Sequence, residues 1–511
     1  MAVIGGGPAG AAAARLLADW GHDVILLTKT TTAPALAESL PPSIAKPLAA
    51  IGVAKAVRRA GFYRTYGNTV WWGDGHARSE PFAGGAHGYQ VVRSAFDELL
   101  LQQAEAAGAR VHRGAVVREV ELSPGSPRLG VTSSTGTRTT IEARMVLDCS
   151  GRTGVVAREG GRAAARAPST LALVGRWHHA DGWEVSNDTH TLVESYVDGW
   201  AWSVPVSRTE RYVAAMVDPR TTAVERSGDL ERSYRRELHK TQRLSRVLER
   251  AALMTKPWAR DASTHSGRQL AGPGFLLLGD AASSVDPLSS CGVKKALVSA
   301  WLGAVVTRTS LGQPDMAGLA RDLFVTRETQ VFEMYRRRAA TFFFDVARNR
   351  PHPFWQDRAD QIGHGPIDAG AEGEQTEGAV TLNEGLSLDR LRSDQSVRSA
   401  FEWLRAAPSI CLRRTPATTL ATRPAVKDNH VVLERCVVVE GWADVDDGLR
   451  FLRGVDLPRL IEVAETHTQV PDVFAAYQRD RPAVPLPDFL GALSVLVAKG
   501  ALRDTAQRSS R

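Results

Sequence analysis

The run Ala2-Val-Ile-Gly-Gly-Gly-Pro-Ala-Gly10 limits the fold more than any other stretch of the chain. Gly5, Gly7 and Gly10 form G-x-G-x-x-G between a short apolar strand and an alanine-rich helix over 9–20, and a second apolar strand follows over 23–27. Gly5 permits the tight turn, Gly7 lets the backbone approach a pyrophosphate, and Gly10 lets the helix pack on the sheet. The helix start at Ala9 offers unpaired N–H groups to phosphate oxygens. This spacing predicts a parallel βαβ unit that binds a dinucleotide. Two features depart from the pattern. The opening strand has about three residues where five or six are usual. Leu27-Thr-Lys29 stands where an acid would hold the ribose, which leaves the Thr28 hydroxyl to reach it.

A second run, Phe275-Leu-Leu-Leu-Gly-Asp-Ala-Ala-Ser-Ser-Val-Asp-Pro-Leu-Ser-Ser-Cys-Gly-Val293, has the same logic near the middle of the chain. An apolar strand stops on Gly279-Asp280, a loop turns through Pro287 and Gly292, and helical periodicity runs from Val293 to Thr307. Strand, acid and helix N-terminus together make a place for an electron-rich group. Between the two runs, 68–73 alternates like a strand, Gly88-Tyr-Gln-Val-Val-Arg93 leads into a helix over 94–107, and 110–120, 130–134 and 137–142 read as a meander. Met145-Val-Leu-Asp-Cys-Ser-Gly-Arg152 returns to the sheet on Asp148 and Gly151. A parallel opening with an antiparallel insertion predicts an α/β domain carrying a second sheet.

The glycines 5–10, Arg93, Asp148-Cys-Ser-Gly151 and Gly279-Asp280 occur in the order and spacing of FAD-dependent monooxygenases of the aromatic-hydroxylase fold, which the chain resembles. The resemblance implies an FAD-binding Rossmann-like domain (1–60, 88–160, 260–310), an interleaved antiparallel-sheet substrate domain (61–87, 161–259) and a helical cap (311–355). It puts Arg93 on the flavin pyrophosphate and Asp280 on the ribityl chain or phosphate. Pro287, Ser290, Cys291, Gly292 and Val293 would frame the flavin.

Trp200-Ala-Trp202-Ser-Val-Pro205 is similar to the W-x-W-x-I-P signature of flavin-dependent halogenases, and 286–293 to their halide-holding loop. In that family the signature lines a tunnel, here with Trp200, Trp202, Pro205 and Phe343. The chain has no second glycine fingerprint, which implies a separate flavin reductase as partner. Halogenases also need a tunnel lysine in the segment that is Gly61-Phe-Tyr-Arg-Thr-Tyr-Gly67 here, with Arg64 at or beside the lysine position. No lysine occurs between Lys55 and Lys240, and a guanidinium stays protonated and is no amine nucleophile. The main expectation is therefore hydroxylation of an electron-rich ring through a flavin C4a-hydroperoxide, as in the branch that hydroxylates peptidyl tryptophan. Halogenation is the alternative, and a flavin-binding winged-helix regulator is a second. Glu194, Asp286 and His87 are the candidate bases for removing the ring proton.

The aromatic run 335–355 reads as a helix capping the tunnel, and the glycine- and acid-rich stretch 356–385 as a linker. Over 386–511, strands at 431–433 and 436–440 precede helices at 457–466, 470–479 and 487–499, an order resembling a winged-helix unit. The last helix, 489–499, carries one lysine and no arginine, too little charge to track phosphates. Docking of a peptide- or carrier-bound aromatic substrate is the expected role, with no nucleic-acid partner. The net charge of +7 comes mostly from scattered arginines, read as a solvated surface. Cys149, Cys291, Cys411 and Cys436 have no metal-ligand spacing, so no metal is expected. The absence of an apolar run of membrane length, of a signal peptide before Ala2 and of a disulfide framework predicts a cytoplasmic protein with no membrane partner.

Overall fold

The computed structural model describes residues 1–511 except 74–75, 124, 160–167, 223, 225–228, 361–393, 443–447, 480–482 and 506–511. The chain divides into two compact units, Met1–Ile367 and Asp368–Arg511.

The first unit is built on a six-stranded sheet in the order Ala271–Gly272, Phe275–Leu277, Val146–Asp148, Ala2–Ile4, Ile25–Thr28, Arg110–Arg113. All neighbours pair parallel except the first. Such strands are covered on both faces and need continuous apolar runs, and Ala2, Val3, Leu26, Val146, Leu147, Leu276 and Leu277 are all buried. The opening strand has the three residues expected and is central, held between Ile25–Thr28 and Val146–Asp148. The helices Pro8–Asp19 and Gly292–Gly312 pack against each other.

The stretch 110–120 is not one strand of the meander. Gly114 takes φ +77 and breaks it: Arg110–Arg113 closes the parallel sheet, and Val116–Glu121 pairs with Arg128–Thr132, which pairs with Arg138–Glu142.

The interleaved sheet runs Ala252–Leu253, Leu171–His178, Glu210–Val217, Gly199–Pro205, Thr191–Tyr196, Gly67–Trp71, Ala77–Pro81, with Trp258–Asp261 also on Leu171–His178. Its two faces are separate cores. Trp200, Val204, Tyr212, Ala214 and Met216 pack on Trp72, Phe343 and Trp355. Leu192, Tyr196, Ala201 and Val213 pack instead with Tyr234 and Leu238, from the helix Leu230–His239. The period-2 alternation of strands assigns each residue to one face or the other. A 33-residue helix, Ala317–Asn349, and a short one, Pro353–Ala359, lie on the first face. The short helix crosses the expected boundary at 355 because Phe354, Trp355 and Arg358 are buried. The rest of the expected linker, 361–385, lies outside the described residues.

In the second unit, Thr418–Lys427 and His430–Val439 form one hairpin of two ten-residue strands, where two short strands were expected over 431–433 and 436–440. Asp428 and Asn429, at φ 49 and 59, turn it, as a two-residue hairpin requires. The helices Leu457–Ala464, Val470–Gln478 and Leu486–Ala498 follow in the expected order, and Gln395–Ala406 packs on the last of them. Lys499 is held by Asp394 at 2.5 Å. Among the described residues no helix is long and apolar enough to cross a membrane.

Candidate active site

The three cofactor motifs meet where the central strands end. A Cβ on Gly5, at φ +106, would lie 2.3 Å from the Cys149 carbonyl oxygen, and one on Gly10 would lie 1.9 Å from the Gly5 carbonyl oxygen. Both positions exclude a side chain. A Cβ on Gly7 would meet only Arg93 Nη2, at 3.7 Å, among the described residues, so this backbone is open to a ligand. A Cβ on Gly6 would lie 2.6 Å from the Thr28 hydroxyl oxygen, which places Thr28 at the same turn.

Arg93 begins the helix Arg93–Ala106. Its Nε and Nη2 donate to Asp97 at 2.9 and 3.0 Å, and Nη1 donates to Glu38 at 2.6 Å. Burial works to lower its pKa, but the two carboxylates outweigh that and hold the guanidinium firmly charged. These bonds use three of its five N–H groups. Glu38 and Asp97 thus aim the fork at the glycine loop and leave two N–H groups for an anion. The i,i+4 spacing of Arg93 and Asp97 was visible in the sequence, whereas the Glu38 contact, 55 residues away, was not.

Asp148 shapes a loop and does not face outward. It is fully buried, Oδ1 accepts from the Ser150 amide (3.0 Å) and hydroxyl (2.6 Å), and Oδ2 accepts from the Val156 amide (2.7 Å). Gly151, at φ +64, turns the chain after it. At the other motif, Gly279 takes φ +61, and a Cβ there would lie 2.9 Å from the Ala9 Cβ, so the two motifs touch. The Asp280 carboxylate has no hydrogen-bond partner among the described residues, and it is close enough to push electrostatically on Glu38. The open Gly7, the two spare Arg93 donors and this carboxylate fit the phosphate and hydroxyl groups of FAD.

The loop after Asp280 carries the reaction side. Asp286 caps the turn Pro287–Ser289 by accepting from the Leu288 amide at 3.0 Å, and Ser290 is left-handed at φ 50. Cys291 is buried, and its carbonyl accepts from the Lys295 amide to start the helix that continues through Gly292 and Val293. Asp286 also lines a small pocket with Thr170, Arg336, Ala339, Phe343 and Arg358. Burial pushes its pKa up to about 6, against the Leu288 amide and the Arg358 and Arg152 charges. The buried Arg358 is fixed by the Phe354 and Ser169 carbonyls (2.9 and 2.8 Å), the Thr170 hydroxyl (2.9 Å) and Asp218 (3.5 Å). Arg358 went unread in the sequence because the glycine-rich stretch just after it suggested a linker.

Two expected bases fall elsewhere. Glu194 shares the strand face of Leu192 and Tyr196, opposite the pocket, and is 4 % exposed. Its oxygens accept from the amides of Gln242 (2.6 Å), Arg243 (3.1 and 3.0 Å) and Leu244 (2.8 Å). Three backbone donors make it the anchor of a loop, on the face away from the pocket. His87 is half-buried, edge-on to Tyr66 and Tyr89. Arg64 is exposed, and the buried residue beside it is Thr65. Trp200 is buried edge-on to Trp72 at 6.3 Å, while Trp202 is partly buried on the same face and Pro205 ends the strand. Phe343 alone of the expected tunnel residues lines the pocket.

Comparison with known proteins agrees with this geometry. Residues 1–300 match the family described as FAD binding domain. The chain is 31% identical over 373 residues to a tryptophan 2-halogenase of Chondromyces crocatus, covering 71% of this chain and 70% of that protein. Its fold is similar to CmlS, a flavin-dependent halogenase, with a TM-score of 0.74, 21% identity and coverage of 98% and 95%. It is also similar to QhpG, a peptidyl tryptophan dihydroxylase essential for tryptophylquinone cofactor biogenesis, with a TM-score of 0.69, 22% identity and coverage of 98% of both chains. With its FAD cradle assembled from the same three motifs, the chain belongs to the FAD-binding halogenase and monooxygenase superfamily and is a flavin-dependent oxidoreductase.

Proposed function

We propose that the protein substitutes an electron-rich aromatic ring of the indole class, with halogen as the incoming group, using FAD reduced by a separate reductase. The observation that carries the substitution chemistry is Asp286: a buried carboxyl in a pocket walled by Phe343, on the loop that follows the flavin turn. Kinship to a tryptophan 2-halogenase favours halogen over oxygen. When bound and reduced, FAD supplies the electrons that activate dioxygen.

The chain's own residues then do three things. Phe343, Ala339 and Ala340 line the pocket and keep water from the ring. Asp286 accepts the proton that the ring releases once the new substituent is attached. Arg358, fixed by its carbonyl and hydroxyl partners, supplies a permanent positive charge that keeps part of the Asp286 population ionised near neutral pH.

Hydroxylation is the second reading, and one observation favours it. No lysine lies between Lys55 and Lys240, and the buried lysines nearest the flavin loop are engaged elsewhere, Lys294 with Ser43 and Lys295 with Gly279 and Glu328. The fold shared with a peptidyl tryptophan dihydroxylase supports extending either reading to a peptide- or carrier-held substrate docked by the C-terminal unit. Incubating the reduced protein with dioxygen, bromide and L-tryptophan, free or within a peptide, decides by product mass. A bromine gain is expected, an oxygen gain transfers the assignment to hydroxylation, and neither product from any indole probe overturns both.

A further inference from the structure

The turn that presents Asp280 is held by a charged pair that no cofactor motif contains. Lys295 is 1 % exposed and sits in the first turn of the helix Gly292–Gly312. Its Nζ donates to the Gly279 carbonyl at 3.1 Å and to Glu328 Oε2 at 3.1 Å, and Glu328 is 5 % exposed. From the other side the Gly279 amide donates to the Ser299 hydroxyl at 3.0 Å. Gly279 is left-handed at φ +61, a conformation glycine adopts freely but does not hold by itself.

Burying an ammonium and a carboxylate costs desolvation that their attraction only partly returns, and an apolar pair of similar volume often serves stability as well or better. A helix already apolar on its buried face, with Leu297, Ala300 and Ala304, has no packing need for a lysine there. What the lysine adds is one directed donor to the carbonyl that precedes Asp280.

We propose that Lys295 and Glu328 are positioning residues: they fix the Gly279–Asp280 turn so that the Asp280 carboxylate is pre-aimed at FAD. Glu328 belongs to the long helix Ala317–Asn349, whose residues Ala339, Ala340 and Phe343 line the pocket. At 1.5 Å per residue those positions lie roughly 16–22 Å further along one continuous helix. One element therefore carries both the brace of the flavin turn and the wall of the reaction pocket, so the pair sets the register between cofactor and substrate sides. The role concerns FAD binding and is independent of which group is transferred to the ring.

The test is FAD titration of the full chain stripped of flavin, read by quenching of flavin fluorescence, beside thermal melting of the flavin-free protein. K295M/E328M replaces the ion pair by apolar side chains and avoids leaving one charge alone. The expected result is a melting temperature within a few degrees of the parent and an FAD dissociation constant raised at least about tenfold, the worth of one hydrogen bond to a charged group. Should that variant fail to fold, E328D decides: it keeps the charge and shortens the reach, and about threefold weaker FAD binding with unchanged melting is expected. FAD affinity within twofold of the parent, in the folded variant used, would overturn the assignment and leave the pair a purely structural contact.

Discussion

Glu194 and Asp286 are both buried carboxylates beside aromatic side chains, and they behave as opposites. Glu194 sits on the outer face of the interleaved sheet and accepts from three backbone amides that cap the turn into Leu244–Val247. Asp286 sits on the flavin loop, accepts from one backbone amide, and shows its remaining surface to a pocket. The number of donors already committed separates a structural acid from a chemical one, because backbone amides occupy the oxygens that a substrate proton would have to reach. Sequence alone ranks the two equally, since nothing local to Glu194 announces amide donors some 50 residues on.

The largest effect should follow from removing the free carboxylate. D286N is expected to lower kcat about 100-fold, the usual scale of a general base, with a melting temperature close to the parent. A loss below about threefold would make Asp286 a loop cap like Glu194. E194A should do the reverse: turnover per folded molecule stays within about twofold, while unfolding free energy in urea falls by about 3 kcal/mol as the three amides lose their acceptor. Normal stability with collapsed turnover would exchange the two roles.

The pH dependence sharpens the contrast. With Asp286 raised to about 6, activity should climb as pH rises through that value, because the base must be ionised. Stability runs the other way. A carboxyl whose folded pKa lies above its unfolded one contributes stability that is fully present below about pH 4 and is lost as pH rises through about 6. For a shift of this size that is on the order of 2–3 kcal/mol, and D286N should flatten it. R358M removes a positive charge that favours the ionised form, so the acid limb of the activity profile should move to higher pH by up to about one unit. A limb that stays in place would remove Arg358 from the electrostatics of the pocket. The smallest effect belongs to R64A: an exposed residue that does not line the pocket should alter kcat/KM by less than about twofold.

The cofactor side was the legible half. Gly5, Gly10 and Gly279 are specified by local backbone demands, a positive φ or a close approach, and such demands leave fixed spacings in the sequence. The substrate side is written in long-range packing. Trp200 and Trp202 announce a strand, yet only the sheet order sets their face against Phe343 and Trp355. Arg358 reaches the pocket because Asp218, 140 residues earlier, and the carbonyl of Ser169 hold it there. For Lys295 the available signal of a buried role was a lysine at an apolar-periodic position beside Ala296 and Leu297. The strand Thr418–Lys427 was missed because Pro424 sits within it, and proline in a run normally argues against a strand.

The most direct measurement is the single-turnover rate of the reduced protein with L-tryptophan and bromide, followed from pH 5 to 8 in the parent, D286N and E194A. The parent and E194A should share one acid limb centred near pH 6, and D286N should be slow and flat across the range. A limb near pH 6 that survives in D286N, or disappears in E194A, would contradict the assignment of Asp286 as the group that takes the ring proton.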